Sequence, residues 1–180
     1  MIQENTHPRK VRQIGISDIG VHIADRGLPV EDVISGRSGS DGVLRERLDK
    51  ANSVAGQRYV RFPQAWEDAV TMGAEATRKV LARSKVGCEH GLRLLAVGTE
   101  TSVDHAKPIA AYIQGLLKTA GFDLGTSLST LQLQHACAAS TMGLLHTAGL
   151  LQASPRLGQR GLVLSTDISR YASASSAELT

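Results

Sequence analysis

Three features predict an α/β fold, a mixed and mostly parallel sheet with helices packed on its faces. Residues 92–97 and 161–165 are near-continuous apolar runs, as strands covered on both faces are. Helical patterns lie between the candidate strands, so strand and helix alternate along the chain. A further alternating run, 128–133, passes directly into a cysteine and then into a small-residue helix.

Taken in order, residues 1–10 are polar and read as a frayed tail rather than a secretory leader, leaving 11–180 as one folded unit. Residues 11–23 have apolar side chains at every second or third place and read as a first strand, closed by Asp25 and Gly27. Pro29, Glu31 and Asp32 start a short helix through Ile34, and the Gly/Ser-rich stretch 35–42 reads as a loop. Residues 44–55 form a charged helix ended by Gly56, and 58–63 read as irregular. Residues 65–84 place Ala69, Met72, Ala76, Val80 and Leu81 at helical spacing. The next helix spans 104–120, with Asp104 as its N-cap and Gly121 as its stop. After the strand 128–133 comes the helix 138–151, then a break at Ser154 and Pro155 and the last strand, 161–165.

Composition bounds the class. The 180 residues are 42% hydrophobic and 21% charged, enough apolar material for one globular core. Net charge is +3, but basic and acidic residues are interspersed and only 3% of residues are aromatic, which argues against a nucleic-acid surface. No apolar run approaches bilayer length. Two cysteines, Cys88 and Cys137, make no disulfide framework, so a cytoplasmic, reducing location is expected. The histidines and cysteines have no metal-ligand spacing, and no glycine-rich stretch follows the phosphate-loop pattern, so neither metal nor cofactor is expected.

Chemistry concentrates after the strands, where open α/β sheets place their sites. Cys137 stands at a strand-to-helix turn among Ala136, Ala138, Ala139 and Ser140, small neighbours that let a substrate approach. A helix starting there directs free N–H groups at the sulfur and favours the thiolate. The stretch alone fits a nucleophile and a buried structural cysteine equally. Glu100, just past the strand 92–97, is either a general acid or base lifted toward neutral pH by burial, or a surface cap. Asp167 follows the last strand and is either a site residue or a turn aspartate. His135 shares a strand face with Cys137 but reads as support for the turn rather than as its base.

The segment Val97-Gly98-Thr99-Glu100-Thr101-Ser102-Val103-Asp104-His105-Ala106-Lys107, the turn 136–141 and the segment Ser165-Thr166-Asp167-Ile168-Ser169-Arg170-Tyr171 together resemble the N-terminal half of the 3-hydroxy-3-methylglutaryl-CoA synthases, in the thiolase superfamily. The likeness runs from about residue 11 to the end, helped by Gly56-Gln57 and by residues 68–73. The resemblance implies the N-terminal half of a thiolase-like fold, with Cys137 at the N-terminus of a buried helix. It implies that Cys137 takes an acetyl group from acetyl-CoA, and that Glu100 deprotonates the acetyl methyl. The resulting enolate then attacks acetoacetyl-CoA or a carrier-bound 3-ketoacyl thioester. Thr141 and Asp167 are implied as substrate-site residues. It also implies pairing, as a homodimer or as a hetero-oligomer with a C-terminal half, through the strand before Cys137.

Two departures stand out. The family has Tyr after the cysteine where this chain has Ala138. A Gly-Ala-Gly-Ala hairpin and a second half carrying a catalytic histidine are expected after Thr180. Two further readings therefore stand beside the synthase: a non-catalytic half-fold subunit, and a ketoacyl-ACP synthase III-like acyltransferase.

Overall fold

The computed structural model describes residues 13–84, 91–154 and 156–168. The expected tail over 1–10, Cys88, Pro155 and the stretch 169–171 of the third motif lie outside the described residues.

The centre is a three-stranded parallel sheet in the order β4-β3-β5, formed by β3 (Leu92–Gly98), β4 (Ser129–Leu133) and β5 (Arg160–Ser165). Leu95 lies opposite Thr130 on one side and Leu162 on the other. As the middle strand, β3 is paired on both edges and covered on both faces, and Leu95, Ala96 and Val97 have no exposed surface. The expected parallel sheet is therefore present, for the reason its apolar run suggested.

Side-chain size along these strands sorts the helices. On one face Leu95, Val97, Leu162 and Leu164 meet Ala69, Val70 and Leu81 of α3 (Ala69–Ser84) and Ile109, Ile113 and Leu117 of α4 (Ile109–Thr119). On the other face β3 ends in the small residues Ala96 and Gly98. A Cβ on Gly98 would lie 2.4 Å from the backbone N of Ser140, and one on Gly143 would lie 3.7 Å from the Ala96 Cβ. These small residues let α5 (Ala139–Ala153) sit directly on β3.

The first part of the chain departs from expectation. Residues 13–23 form no strand. The segment follows α3, where Arg83 Nη2 donates to Asp18 Oδ1 (3.1 Å) and to the Ile19 carbonyl (2.9 Å), and His22 Nε2 meets Glu67 Oε1 at 3.3 Å. Its apolar alternation is real, but no strand lies beside it among the described residues, and Ile16, Ile19, Val21 and Ile23 remain exposed. A strand needs a partner for its N–H and C=O groups as well as a pattern. Between this segment, the outer edge of β5, α3 and α5 runs a groove of about 680 Å³.

β1 (Arg26–Pro29) pairs antiparallel with β2 (Tyr59–Phe62), so residues read as irregular form a small separate sheet. α1 (Val30–Ser38) continues into the first four residues of the loop expected at 35–42, and ends where Gly39 adopts φ 51°. α2 (Gly42–Ala55) is capped by Asp41, whose carboxylate accepts from the N–H groups of Val43 and Leu44 at 3.0 Å. Helix α3 starts at Ala69 rather than at 65, after a turn in which Asp68 Oδ1 accepts from Thr71 N–H at 2.7 Å.

Helix α4 starts at Ile109, not at 104, because Pro108 fixes the entry and the residues before it form a loop. Asp104 therefore caps that loop and not the helix: its Oδ1 accepts from Ala106 and Lys107 N–H (2.8 and 3.1 Å).

Candidate functional site

Strands β4, β3 and β5 end side by side. Thr99 N–H donates to the Leu133 carbonyl (3.1 Å) and Thr166 N–H to the Gly98 carbonyl (3.3 Å), carrying the ladder one residue beyond β3 on each side. Glu100, Asp167 and the turn bearing Cys137 all leave this one carboxyl edge.

The Cys137 turn is tight. Ala136 is in the left-handed region at φ 42°, alone among the described residues other than glycine. That conformation costs roughly 1–2 kcal/mol for a residue with a Cβ. It is held by hydrogen bonds from Ala138 N–H to the His135 carbonyl (3.0 Å) and from Ala139 N–H to the Ala136 carbonyl (3.1 Å). A strained strand-to-helix turn of this kind lifts the side chain it carries above the edge of the sheet. The Cys137 thiol is free and exposed, two residues before the start of α5. His135 contributes its carbonyl to the turn, consistent with the supporting role read for it.

The helix after it is less covered than expected. Ala139, Gly143 and Thr147 form its buried stripe against the sheet, while Leu144, Leu145 and Leu150 are exposed, Leu145 to 62%. α5 is apolar nearly all round and is covered on one side only, so the expectation of a buried helix holds for the sheet-facing stripe alone. Thr141 is exposed on α5 and lines the groove described above, which takes in none of Cys137, Glu100 or Asp167.

Asp167 is the best-satisfied residue of the site. Its Oδ1 accepts from Glu100 N–H (2.7 Å), the Thr99 hydroxyl (2.9 Å), the Thr101 hydroxyl (3.0 Å) and Thr101 N–H (3.2 Å). The Thr101 hydroxyl in turn accepts from Ile168 N–H at 3.0 Å. The end of β5 is thus stitched to the loop after β3, and Asp167 fixes the backbone of Glu100. The Glu100 side chain itself is exposed, not buried as one of its two readings required.

Farther along the same loop, Tyr112 Oη donates to Asp104 Oδ2 at 2.7 Å and Lys107 Nζ lies 4.0 Å from the Tyr112 ring centre. N–H donors from Ala106 and Lys107, with the Tyr112 hydroxyl, hold the Asp104 carboxyl down at about 2. The same hydrogen bond to Asp104 pushes the Tyr112 phenol up. Sequence reading passed over Gln132. Its side chain bonds both Ser102 and the start of α4, and a polar residue between Leu131 and Leu133 was the available signal. Among the described residues no cluster of three or more His, Cys, Asp or Glu is placed to hold a metal. Nor is any helix there long and apolar enough to cross a membrane.

Comparison with known proteins points one way. Residues 41–179 match the family model described as hydroxymethylglutaryl-coenzyme A synthase N terminal. A hydroxymethylglutaryl-CoA synthase of Haloferax volcanii is 30% identical over 138 residues, covering 77% of this chain and 31% of the relative. The solved structure of MvaS in complex with 3-hydroxy-3-methylglutaryl coenzyme A superposes with TM-score 0.77 at 31% identity, over 92% of this chain and 37% of that one. The curacin biosynthetic pathway HMG synthase, solved in complex with acetyl donor-ACP, shares the fold with TM-score 0.72 at 21% identity, over 89% of this chain and 36% of that one. The chain spans about a third of the length of these proteins.

Proposed function

This chain belongs to the hydroxymethylglutaryl-coenzyme A synthase N-terminal family, and we propose that it carries the acetyl-accepting nucleophile and the condensing base of such an enzyme. The observation that carries the reading is the convergence of the Cys137 turn and the Glu100 loop on one carboxyl edge of the sheet, with Gly98 seating the start of α5 against β3.

In the first step the Cys137 thiolate attacks the carbonyl of acetyl-CoA, the CoA thiolate leaves, and the acetyl group is held as a thioester on Sγ. Glu100 then takes a proton from the acetyl methyl. The enolate carbon bonds to the ketone carbon of an acetoacetyl thioester, and the resulting alkoxide takes up a proton, returned by Glu100 or drawn from solvent, to become the product hydroxyl. Water finally cleaves the Sγ thioester and frees Cys137. In this reading the Cys137 N–H donates to the enolate oxygen. Asp167 holds the Glu100 backbone, and Thr141, four positions after Cys137 on α5, is assigned as a further substrate-site residue.

Residues 11–180 act as one half-domain, and condensation requires a C-terminal half. The exposed Leu144, Leu145 and Leu150 support this, as does the groove of about 680 Å³ beside β5. Both are apolar surfaces of the kind that mark an interface. The half-domain pairs as a homodimer or hetero-oligomer, with β4, which has a strand on one edge only among the described residues, as the pairing strand. The enzyme is cytoplasmic and uses CoA or carrier-protein thioesters, with no further cofactor. The complexes of MvaS with 3-hydroxy-3-methylglutaryl coenzyme A and of the curacin synthase with an acetyl-donor carrier protein support CoA and carrier-protein thioesters alike as candidate substrates. Acetylation and condensation assays with CoA thioesters against carrier-protein thioesters decide between them. Condensation on neither, once a C-terminal half is supplied, would remove the proposed activity.

A further inference from the structure

The loop that carries Glu100 is fastened from two neighbouring strands. From β5, Asp167 grips Thr99, Glu100 and Thr101. From β4, on the opposite side of β3, the Gln132 side chain reaches over to both ends of the remainder of the loop. Its Oε1 accepts from Ile109 N–H at 2.7 Å, and its Nε2 donates to the Ser102 hydroxyl at 3.1 Å. The amide orientation is fixed by chemistry, because only an oxygen can face the Ile109 N–H. Ser102 passes the contact on, its hydroxyl donating to the Asp104 carbonyl at 2.7 Å.

The Ile109 bond fills a specific need. Helix α4 begins after Pro108, which has no side chain to cap it, and Ile109 is fully buried. Its N–H therefore finds its acceptor in Gln132 rather than in a cap or in water. One side chain on β4 thus sets where the loop leaves Ser102 and where it re-enters a helix.

We propose that Gln132 is a positioning residue for Glu100, holding the far end of its loop as Asp167 holds the near end. Its role for the reaction rests on the activity proposed above. With only the Asp167 end fixed, residues 102–108 hinge about Thr101, and the stretch that follows Glu100 no longer limits where its exposed carboxylate reaches.

Hydrogen exchange measured by mass spectrometry on the full 180-residue chain tests the fastening without any activity. In Gln132→Met, which keeps the length and removes both polar contacts, amides of 101–109 should exchange about three- to tenfold faster, as the loss of one neutral hydrogen bond gives. Those of β5 and α5 should not change. Gln132→Glu keeps an acceptor for Ile109 N–H and loses the donor to Ser102. It should restore protection at Ile109 but not at 102–104.

On the acetylated protein, deuterium entering the acetyl methyl from heavy water reads the Glu100 step separately. Gln132→Met should slow that exchange several-fold at an unchanged rate of Cys137 acetylation. Unchanged loop protection in Gln132→Met would overturn the proposal, and so would equal losses of methyl exchange and acetylation. A parent chain that takes no acetyl group would instead sink the proposed reaction, leaving the amide pattern to decide whether Gln132 fastens the loop.

Discussion

On the α3–α4 face of the sheet, Leu95, Val97, Ile109 and Ile113 have no exposed surface. On the α5 side Leu145 stands open and, past the edge of β5, so do Ile16 and Ile19. The Glu100 loop belongs to the finished side, where Asp167 and Gln132 satisfy it. The Cys137 turn sits at the head of the unfinished one. The difference teaches that local geometry at the carboxyl edge is set within this chain, while among the described residues α5 is covered on its sheet side alone. Fully burying side chains of that size is worth about 1.5–3 kcal/mol each, which is the gain the proposed association would draw on.

The comparison breaks most severely at Glu100. Glu100→Ala or Glu100→Gln should lower condensation by about 10²–10⁴-fold in the completed enzyme, the usual loss for one general base, while acetyl transfer to Cys137 persists. Single-turnover assays of the two steps check this, and equal loss of both would place Glu100 outside the base role.

Next in size are changes at the carboxyl end of β3, one on each face. Gly98→Ala forces a Cβ to within 2.4 Å of the Ser140 backbone, which cannot swing aside. It should cost about 1–3 kcal/mol or more, read from urea unfolding. Thr99 is fully buried and its hydroxyl donates to the Asp167 carboxylate. Thr99→Val should cost about 1.5–3 kcal/mol, since the bond lost is to a charged group.

On the open side the expectation reverses. Leu145→Lys should change the stability of this chain by no more than about 0.5 kcal/mol, as exposed positions do. It should nevertheless block association with a C-terminal half in sedimentation or pull-down with that half. A destabilised chain would mean that α5 is already covered on this side.

The smallest effect concerns acid. Asp104 sits at about 2 against an ordinary 3.8. A depressed folded value contributes stability above the unfolded pKa and loses it as pH falls through the folded one. The loop around Asp104 should therefore tighten above about pH 4 and loosen toward pH 2. Tyr112→Phe removes one donor and should move the Asp104 titration upward, seen by carbon-detected NMR of its carboxyl. An unmoved titration would separate the two side chains.

The sheet and the positions of Cys137, Glu100 and Asp167 were legible because buried parallel strands announce themselves in apolar runs, and sites follow their carboxyl ends. Residues 13–23 were misread because alternation records which side chains want cover, not whether a hydrogen-bonding strand lies alongside. Residues 26–29 and 59–62 are too short and too exposed to leave a pattern, so their pairing went unseen. The start of α4 was misplaced because Asp104 and Pro108 both give start signals, and the proline prevails. Gln132 was invisible for another reason. Its importance lies in contacts to Ser102 and Ile109, 30 and 23 residues away in sequence, which no local window contains.

The most direct test of the account is intact-protein and peptide mass spectrometry after mixing the chain with acetyl-CoA. A single acetyl adduct on Cys137 is predicted, none on Cys88, and no condensed product from an acetoacetyl thioester until a C-terminal half is added. Failure of Cys137 to take the acetyl group, alone or with that half present, would contradict the account, and so would full condensation by this chain as a monomer.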